Sequence, residues 1–529
     1  MRPFHRRVLA VPLAAVALVA GCSQATDTTA STPAGQTPQN PARVAGVPLP
    51  EASVADAVAQ LDGLAEKLMD SSGIPGMAVA VVHGGQTLYA KGFGVRAAGS
   101  SEKVDADTVF QLASMSKPIG ATVVARQVAS GVVDWDTPVA SKLPGFALAD
   151  PYVSQHVTIG DLYAHRSGLP DHAGDELEDL GYDRRQILER LRLLPLAPFR
   201  DSYAYTNFGV TAAAEAVAAA SGTDWAGLSD RLLYQPLGMS DTSSRFADYA
   251  ARENKAVGHV KIDGNYVAQY VREPDAQSPA GGVSSSVNDV AAWLTMLLAD
   301  GQVDGQPLVP AEALQPAISP QSVSSPPTSP DTRAGFYGYG FNVGTSPAGR
   351  VTLSHSGAFA LGAATSFLAI PSADTAIVVL TNAAPVGVAE TLSSGFSDLV
   401  QFGEIREEWT GLYEQAFAKA DQPQGALVGQ SPPTDPAPAR PLPDYVGSYA
   451  NDYFGAAQVS ERDGRLVLTM GPKGLAFPLT HWDGDVFTFT PDGENAPAGT
   501  ISSATFAGDT LTLEFFDSDG LGTFTRSAP

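Results

Sequence analysis

Between Val54 and Met69, apolar residues recur at spacings of three and four: Val54, Val58, Leu61, Leu64 with Ala65, and Leu68. That period predicts an amphipathic helix. The pattern then changes. Met77 to His83 is a nearly continuous apolar run, followed by Gly84-Gly85 and a second run from Gln86 to Gly94. Two such segments joined by a Gly-Gly pair predict a β-hairpin. Helical spacing returns over 118–129, 209–220 and 287–298. Strand character follows over 340–343, 351–355, 364–370 and 376–381, and 390–419 reads as one closing helix. Hairpin, helical middle, late strands and closing helix describe an α+β fold. Its core is an antiparallel sheet flanked by helices, with a helical subdomain inserted.

Two stretches break this pattern. Residues 421–443 are rich in proline and poor in bulky apolar side chains, which predicts a linker. Beyond it, Arg465-Leu466-Val467-Leu468-Thr469 and Thr510-Leu511-Thr512-Leu513-Glu514-Phe515 alternate with period two between Gly/Asp turns. Residues 444–529 therefore form a small β-barrel or sandwich. The larger domain occupies 53–420. Ahead of it, residues 22–52 are rich in Thr, Ser, Gln, Ala and Pro and read as a flexible tether.

The first 21 residues read as a signal peptide. Arg2, His5, Arg6 and Arg7 precede an apolar run from Val8 to Ala20, which is short for a membrane span. Val19-Ala20-Gly21-Cys22 resembles the bacterial lipoprotein cleavage box, in which the cysteine carries the lipid. Cys22 is the chain's single cysteine, so no intrachain disulfide can form. The expected location is the outer face of the cell membrane, held by a lipid anchor. A formal net charge of −24 argues against a nucleic-acid partner, because phosphate binding needs basic patches.

Candidate chemistry sits in three short motifs. Ser114-Met115-Ser116-Lys117 follows an apolar run and opens a helix with Pro118 in its first turn. Residues i and i+3 share a helix face, so Lys117 can reach Ser114. An equally spaced pair, Ser100 and Lys103, lies in a Gly- and charge-rich turn. Tyr205-Thr206-Asn207 precedes a helix, where Asn207 could serve as an N-cap and Tyr205 as core. Tyr449-Ala450-Asn451 repeats that spacing in the C-terminal module. His355-Ser356-Gly357 lies at a strand end, followed by Ala358. His165 reads as structural.

Taken in this order, S-x-x-K, Y-x-N and H-S-G resemble the serine β-lactamase class C and penicillin-recognising peptidase-esterase family. Leu162 to Pro170, Pro236 to Met239 and Gly281 to Ser286 agree with it, and the likeness covers about residues 54–400. The tail from Tyr445 is similar to the lipocalin-like module attached to such hydrolases. The resemblance implies an acyl-enzyme on Ser114, with Lys117 and Tyr205 handling the proton. Backbone N–H groups of Ser114 and Ala358 would form an oxyanion hole, and Asn207 would hold the substrate amide or steady Lys117. His355, Ser356, Gly357 and Ala358 would line the substrate site. The family needs no cofactor or metal.

One departure matters. The family's usual K-T-G is H-S-G here, so a lysine becomes His355. A histidine titrates near ~6.5 and is mostly neutral at pH 7. That leaves Tyr205 one dependable cation and weakens binding of substrate carboxylates. The expected activity is therefore hydrolysis of a D-amino-acid peptide or amide, or of a small ester. A β-lactamase or D-Ala-D-Ala carboxypeptidase is the alternative within the class, and a catalytically silent envelope binding protein the alternative outside it. His355 is expected to set part of the acid limb of the rate profile. A second departure, Phe199 to Ala204 in place of Pro-Gly ahead of the tyrosine, implies a different approach loop.

Overall fold

The computed structural model describes residues 47–527. The expected leader, Cys22 and most of the expected tether lie outside the described residues. An eight-stranded antiparallel sheet organises the larger part. Its strands are β1 (Gly76–His83), β2 (Gln86–Gly94), β3 (Ser322–Ser325), β4 (Gly335–Tyr337), β5 (Asn342–Thr345), β6 (Val351–Phe359), β7 (Ala363–Ile370) and β8 (Thr375–Thr381). Their order is β2-β1-β8-β7-β6-β5-β4-β3.

The continuous apolar run of β1 has a physical reason: both of its faces are covered. Met77, Val79 and Val81 point to helices α1 (Ser53–Ser72) and α6 (Val388–Phe402), where they meet Leu61, Leu392 and Phe396. Ala78, Ala80 and Val82 point to the opposite core, which holds Ile119, Trp293 and Leu294. Strand β8 repeats this, with Ile377 and Val379 on one side and Val378 and Leu380 on the other. Alternation is lost in sequence because no side of the strand meets water.

Between β2 and β3 the chain builds a helical layer. It contains α2 (Ser116–Ala129), α3 (Asp175–Leu180), α4 (Asn207–Ala220) and α5 (Val287–Leu298). The expected antiparallel sheet with flanking helices is present, and so are the first hairpin and helices α1, α2, α4 and α5. Three details differ. The closing helix is two helices, α6 and α7 (Trp409–Ala420), because Gly403 ends α6 in the left-handed region at φ 77°. The strand expected at 340–343 lies at Asn342–Thr345. Strands β3 and β4 were not expected.

Eight further strands close into a barrel: β9 (Gly447–Asn451), β10 (Gly455–Arg462), β11 (Arg465–Met470), β12 (Leu475–Asp483), β13 (Val486–Phe489), β14 (Ser502–Ala507), β15 (Thr510–Leu513) and β16 (Thr523–Arg526). Closure leaves no free sheet edge. The proline-rich stretch before it is laid along the barrel wall. Ile501 N–H donates to the Gln424 carbonyl at 3.0 Å, and Ala437 N–H donates to Asp483 at 2.7 Å. The barrel in turn seats against the helical layer. Tyr182 Oη donates to the Phe454 carbonyl at 2.8 Å, and Arg190 Nε to the Tyr453 carbonyl at 3.1 Å.

Candidate active site

Ser114 sits in a one-turn 3-10 segment, Ala113–Met115, that runs directly into α2. Ala113 is held at φ 48°, a left-handed conformation that costs a non-glycine residue about 1–2 kcal/mol. The surroundings enforce it. Leu112 N–H donates to the Val283 carbonyl at 2.8 Å, Ser116 Oγ donates to the Ala113 carbonyl at 2.6 Å, and Val283 N–H returns to Ser116 Oγ at 2.9 Å. Strain stored at a candidate nucleophile and pinned from both sides is a mark of a functional turn.

Lys117, in the first turn of α2, has no solvent exposure. Its Nζ lies 3.0 Å from Ser114 Oγ, 2.7 Å from Asn207 Oδ1 and 3.0 Å from the Ala280 carbonyl. Burial pulls its pKa down to about 7, against the attraction of Asp175. The three partners are unequal. Two are carbonyl oxygens that can only accept. When the amine is neutral, its two N–H bonds satisfy those carbonyls and its lone pair is left facing the Ser114 hydroxyl.

Asn207 is the first residue of α4 rather than its N-cap, which is Thr206. Its amide bridges two charges, accepting from Lys117 and donating to Asp175 Oδ2 at 2.9 Å. Asp175, the first residue of α3, is also 2.8 Å from His172 Nδ1. That contact raises the pKa of His172. A row Ser114–Lys117–Asn207–Asp175–His172 thus crosses the site.

The Tyr205 ring lies 4.5 Å from Lys117 Nζ. Burial drives its pKa far above the usual phenol value, while hydrogen bonding to Ser114 pulls it the other way. Its ring packs against His165 at 4.5 Å between centroids and His172 at 5.8 Å. His165, read from the sequence as structural, also forms a wall of the site. Burial and Lys117 keep it neutral, with Nδ1 accepting from Thr206 N–H at 3.1 Å.

The His355 ring centroid lies 6.4 Å from that of Tyr205. Its Nδ1 is 2.6 Å from the Ser356 carbonyl and its Nε2 2.8 Å from Tyr337 Oη. The carbonyl requires a proton on Nδ1, so Nε2 accepts from the phenol. Burial and Lys117 hold its pKa to about 3. That direction argues against the role in the acid limb expected of His355.

Strand β6 brings the H-S-G segment to the nucleophile. A Cβ on Gly357 would lie 2.1 Å from the Leu112 carbonyl oxygen and 3.1 Å from Ser114 N, so only glycine permits this approach. Thr365 Oγ1 ties the same carbonyl at 2.8 Å. Strand β5 pairs with β6 only from Val351 to Ser354. Past that point, His355 to Phe359 has no strand partner on the β5 side, and Ala358 is exposed on it.

Ser114, Lys117, Tyr205 and Asn207 therefore meet, with Gly357 beside them. The look-alike motifs do not. Ser100 and Lys103 lie in the segment after β2, where Lys103 bridges back to Val95, and Tyr449 is inside the barrel, donating to the Tyr445 carbonyl at 2.9 Å. Sequence reasoning missed Asp175, His172, Tyr337 and the Ala280 carbonyl. His172 and Asp175, three apart after Ser167-Gly168-Leu169-Pro170, were the one local signal available.

Comparisons with known proteins fit this geometry. Residues 61–393 match the family model described as Beta-lactamase, and residues 431–521 match a domain of unknown function, DUF3471. An unguisins hydrolase, ungD, from Aspergillus violaceofuscus is 28% identical over 79% of this chain and 80% of its own length. Penicillin-binding protein 4 of Amycolatopsis lactamdurans is 31% identical over 66% of this chain and 90% of its own. The octameric penicillin-binding protein homologue from Pyrococcus abyssi superposes with a TM-score of 0.59 over 86% of this chain and 98% of that one. At 18% identity it speaks to the fold alone. Fold and site are those of a serine hydrolase. The chain belongs to the beta-lactamase family.

Proposed function

We propose that this protein is an exported serine hydrolase that forms an acyl-enzyme on Ser114. The observation carrying this reading is the Ser114–Lys117 contact, made by an amine with no solvent exposure and a pKa near neutrality. Neutral Lys117 takes the Ser114 proton as Oγ attacks the carbonyl carbon. The oxyanion forms against the backbone N–H groups of Ser114 and Ala358, where fixed donors are worth several kcal/mol. Tyr205, kept protonated by burial, donates to the leaving group and is resupplied from Lys117. Water then deacylates Ser114 by the same route in reverse.

The substrate we infer is a D-amino-acid peptide or amide, or a small ester. Neutral His355 supports it, because the position offers no positive charge to a substrate carboxylate. Relatives span these chemistries by name: an esterase, EstB, from Burkholderia gladioli and a D-alanyl-D-alanine-carboxypeptidase/endopeptidase, AmpH, from Escherichia coli. Export and anchoring through a lipid on Cys22 belong to the same proposal. Among the described residues no helix is long and apolar enough to cross a membrane.

A fluorophosphonate probe should add one covalent tag to the wild type and none to Ser114→Ala. D-aminoacyl p-nitroanilides and short p-nitrophenyl esters should turn over faster than nitrocefin. An untagged wild type would replace this reading with a binding protein, and nitrocefin as the best substrate would replace it with a β-lactamase.

A further inference from the structure

One barrel loop bonds both to the turn after β6 and to helix α3. Residues 490–501, between β13 and β14, leave the barrel wall and bond to both sides of the cleft. On one side, Glu494 Oε1 accepts from Ala360 N–H at 2.7 Å and Oε2 from Leu361 N–H at 3.3 Å. Those amides open the turn directly after β6, two and three residues past Ala358. On the other side, Asp179 of α3 accepts from Glu494 N–H at 3.2 Å, Asn495 N–H at 3.0 Å and Asn495 Nδ2 at 3.0 Å. Asn495 Nδ2 also donates to the Asp175 carbonyl at 3.2 Å. Asp175 is the residue that orients Asn207.

We propose that Glu494 is a positioning residue for the proposed oxyanion hole, fixing the end of β6 so that Ala358 N–H faces Ser114. This rests on the acyl-enzyme reading above. The Glu494 side chain is only 12% exposed. Arg272 Nε stands 3.6 Å from its Oε2 and pairs with Glu178 at 2.7 Å through Nη2. The Arg272 guanidinium lies 4.7 Å over the ring of Phe359, the last residue of β6. Carboxylate and guanidinium thus grip three consecutive residues, 359–361, immediately beyond the oxyanion position.

The loop is shaped for this contact. Gly493 adopts φ 152°, and a Cβ there would stand 2.8 Å from Asp179 Oδ2. The turn it serves needs an external hold, because past Ser354 the strand lacks a neighbour on one side. A backbone donor that drifts by a fraction of an ångström loses most of its value to a developing charge. Two oxygens of one carboxyl group accepting successive N–H groups fix both position and orientation of the segment.

If Glu494 merely glued the barrel in place, its loss would change thermal stability and leave turnover per folded molecule intact. Positioning makes a different prediction. With a short p-nitrophenyl ester, Glu494→Ala should lower kcat at least about tenfold, since removing an oxyanion donor outright costs about a hundredfold or more. KM should stay within about twofold, and affinity for an arylboronic acid, which mimics the tetrahedral adduct, should fall by about the same factor as kcat. Glu494→Gln, which keeps one acceptor, should recover most of both, and Glu494→Asp, too short to span both amides, should not. Unchanged kcat and boronate affinity in folded Glu494→Ala would overturn the proposal. Should that variant not fold, the comparison of Gln with Asp decides, and equal activities of the two would overturn it. Failure of the wild type to take the fluorophosphonate tag would instead remove the reading beneath it.

Discussion

Lys117 donates to three acceptors, so its ammonium is well coordinated yet wholly desolvated. Desolvation wins and brings its pKa to about 7. If the neutral amine is the base, kcat/KM rises with pH through about 7 as Lys117 gives up its proton. His355, near 3, is neutral on both sides of that limb. His355→Gln should therefore leave the midpoint unmoved, and a shifted midpoint in the pH profile would restore His355 to the titration. The same burial has a stability cost. The unfolded lysine titrates near ~10.4, so the unfolded chain binds more protons between about pH 7 and that value, and stability rises with pH there. Below about pH 7 the penalty is full, up to about 5 kcal/mol for a shift of this size. Lys117→Met should abolish turnover and raise Tm, by more at pH 6 than at pH 10 in paired thermal melts.

Strand β6 turns a nucleophile into a site, and its glycine is the contact point. Gly357→Ala would put a methyl group 2.1 Å from the Leu112 oxygen and 2.4 Å from Thr365 Oγ1. Backbone and not a flexible side-chain tip must yield, so β6 moves away from Ser114. Acylation by the fluorophosphonate should slow about a hundredfold, comparable to losing an oxyanion donor, and a rate within threefold of wild type would contradict this geometry. Much of this scale could be read in advance. The Gly-Gly hairpin and the long helices carry local signals, and the spacing of Ser114 and Lys117 is a property of one helical turn. Other elements left no such trace. Ser322–Ser325 and Gly335–Tyr337 are too short to show alternation, yet β4 supplies Tyr337, whose hydroxyl donates to His355 Nε2. Helix α3 is a six-residue acidic segment, below the length at which a period registers, yet it supplies Asp175. Those contacts join residues far apart in sequence, and composition does not encode them.

At the scale of the whole molecule, α3 is the joint between site and barrel. Its first residue, Asp175, holds Asn207; Glu178 holds Arg272; and Asp179 receives three N–H bonds from the barrel loop. Among the described residues no barrel side chain hydrogen-bonds Ser114, and barrel docking and site geometry are coupled through this helix and through the turn after β6. Asp179→Ala removes the acceptor for three donors at once. Each donor left buried without a partner costs about 1–3 kcal/mol, while those that regain water cost little. The expected outcome is a loss of a few kcal/mol in urea melts and release of the loop. Released loop and barrel should also expose the proline-rich stretch at 421–443, so limited proteolysis should cut Asp179→Ala there at protease concentrations that leave the wild type whole. Because Asp179 and the Glu494 side chain hold the same point of one loop from opposite sides, their effects on kcat should not add. The double variant Asp179→Ala with Glu494→Ala should be little slower than the worse single variant, since breaking either contact already breaks the bridge from α3 through the loop to the turn after β6. Full additivity in that double-mutant cycle would mean that the two walls of the cleft are held independently.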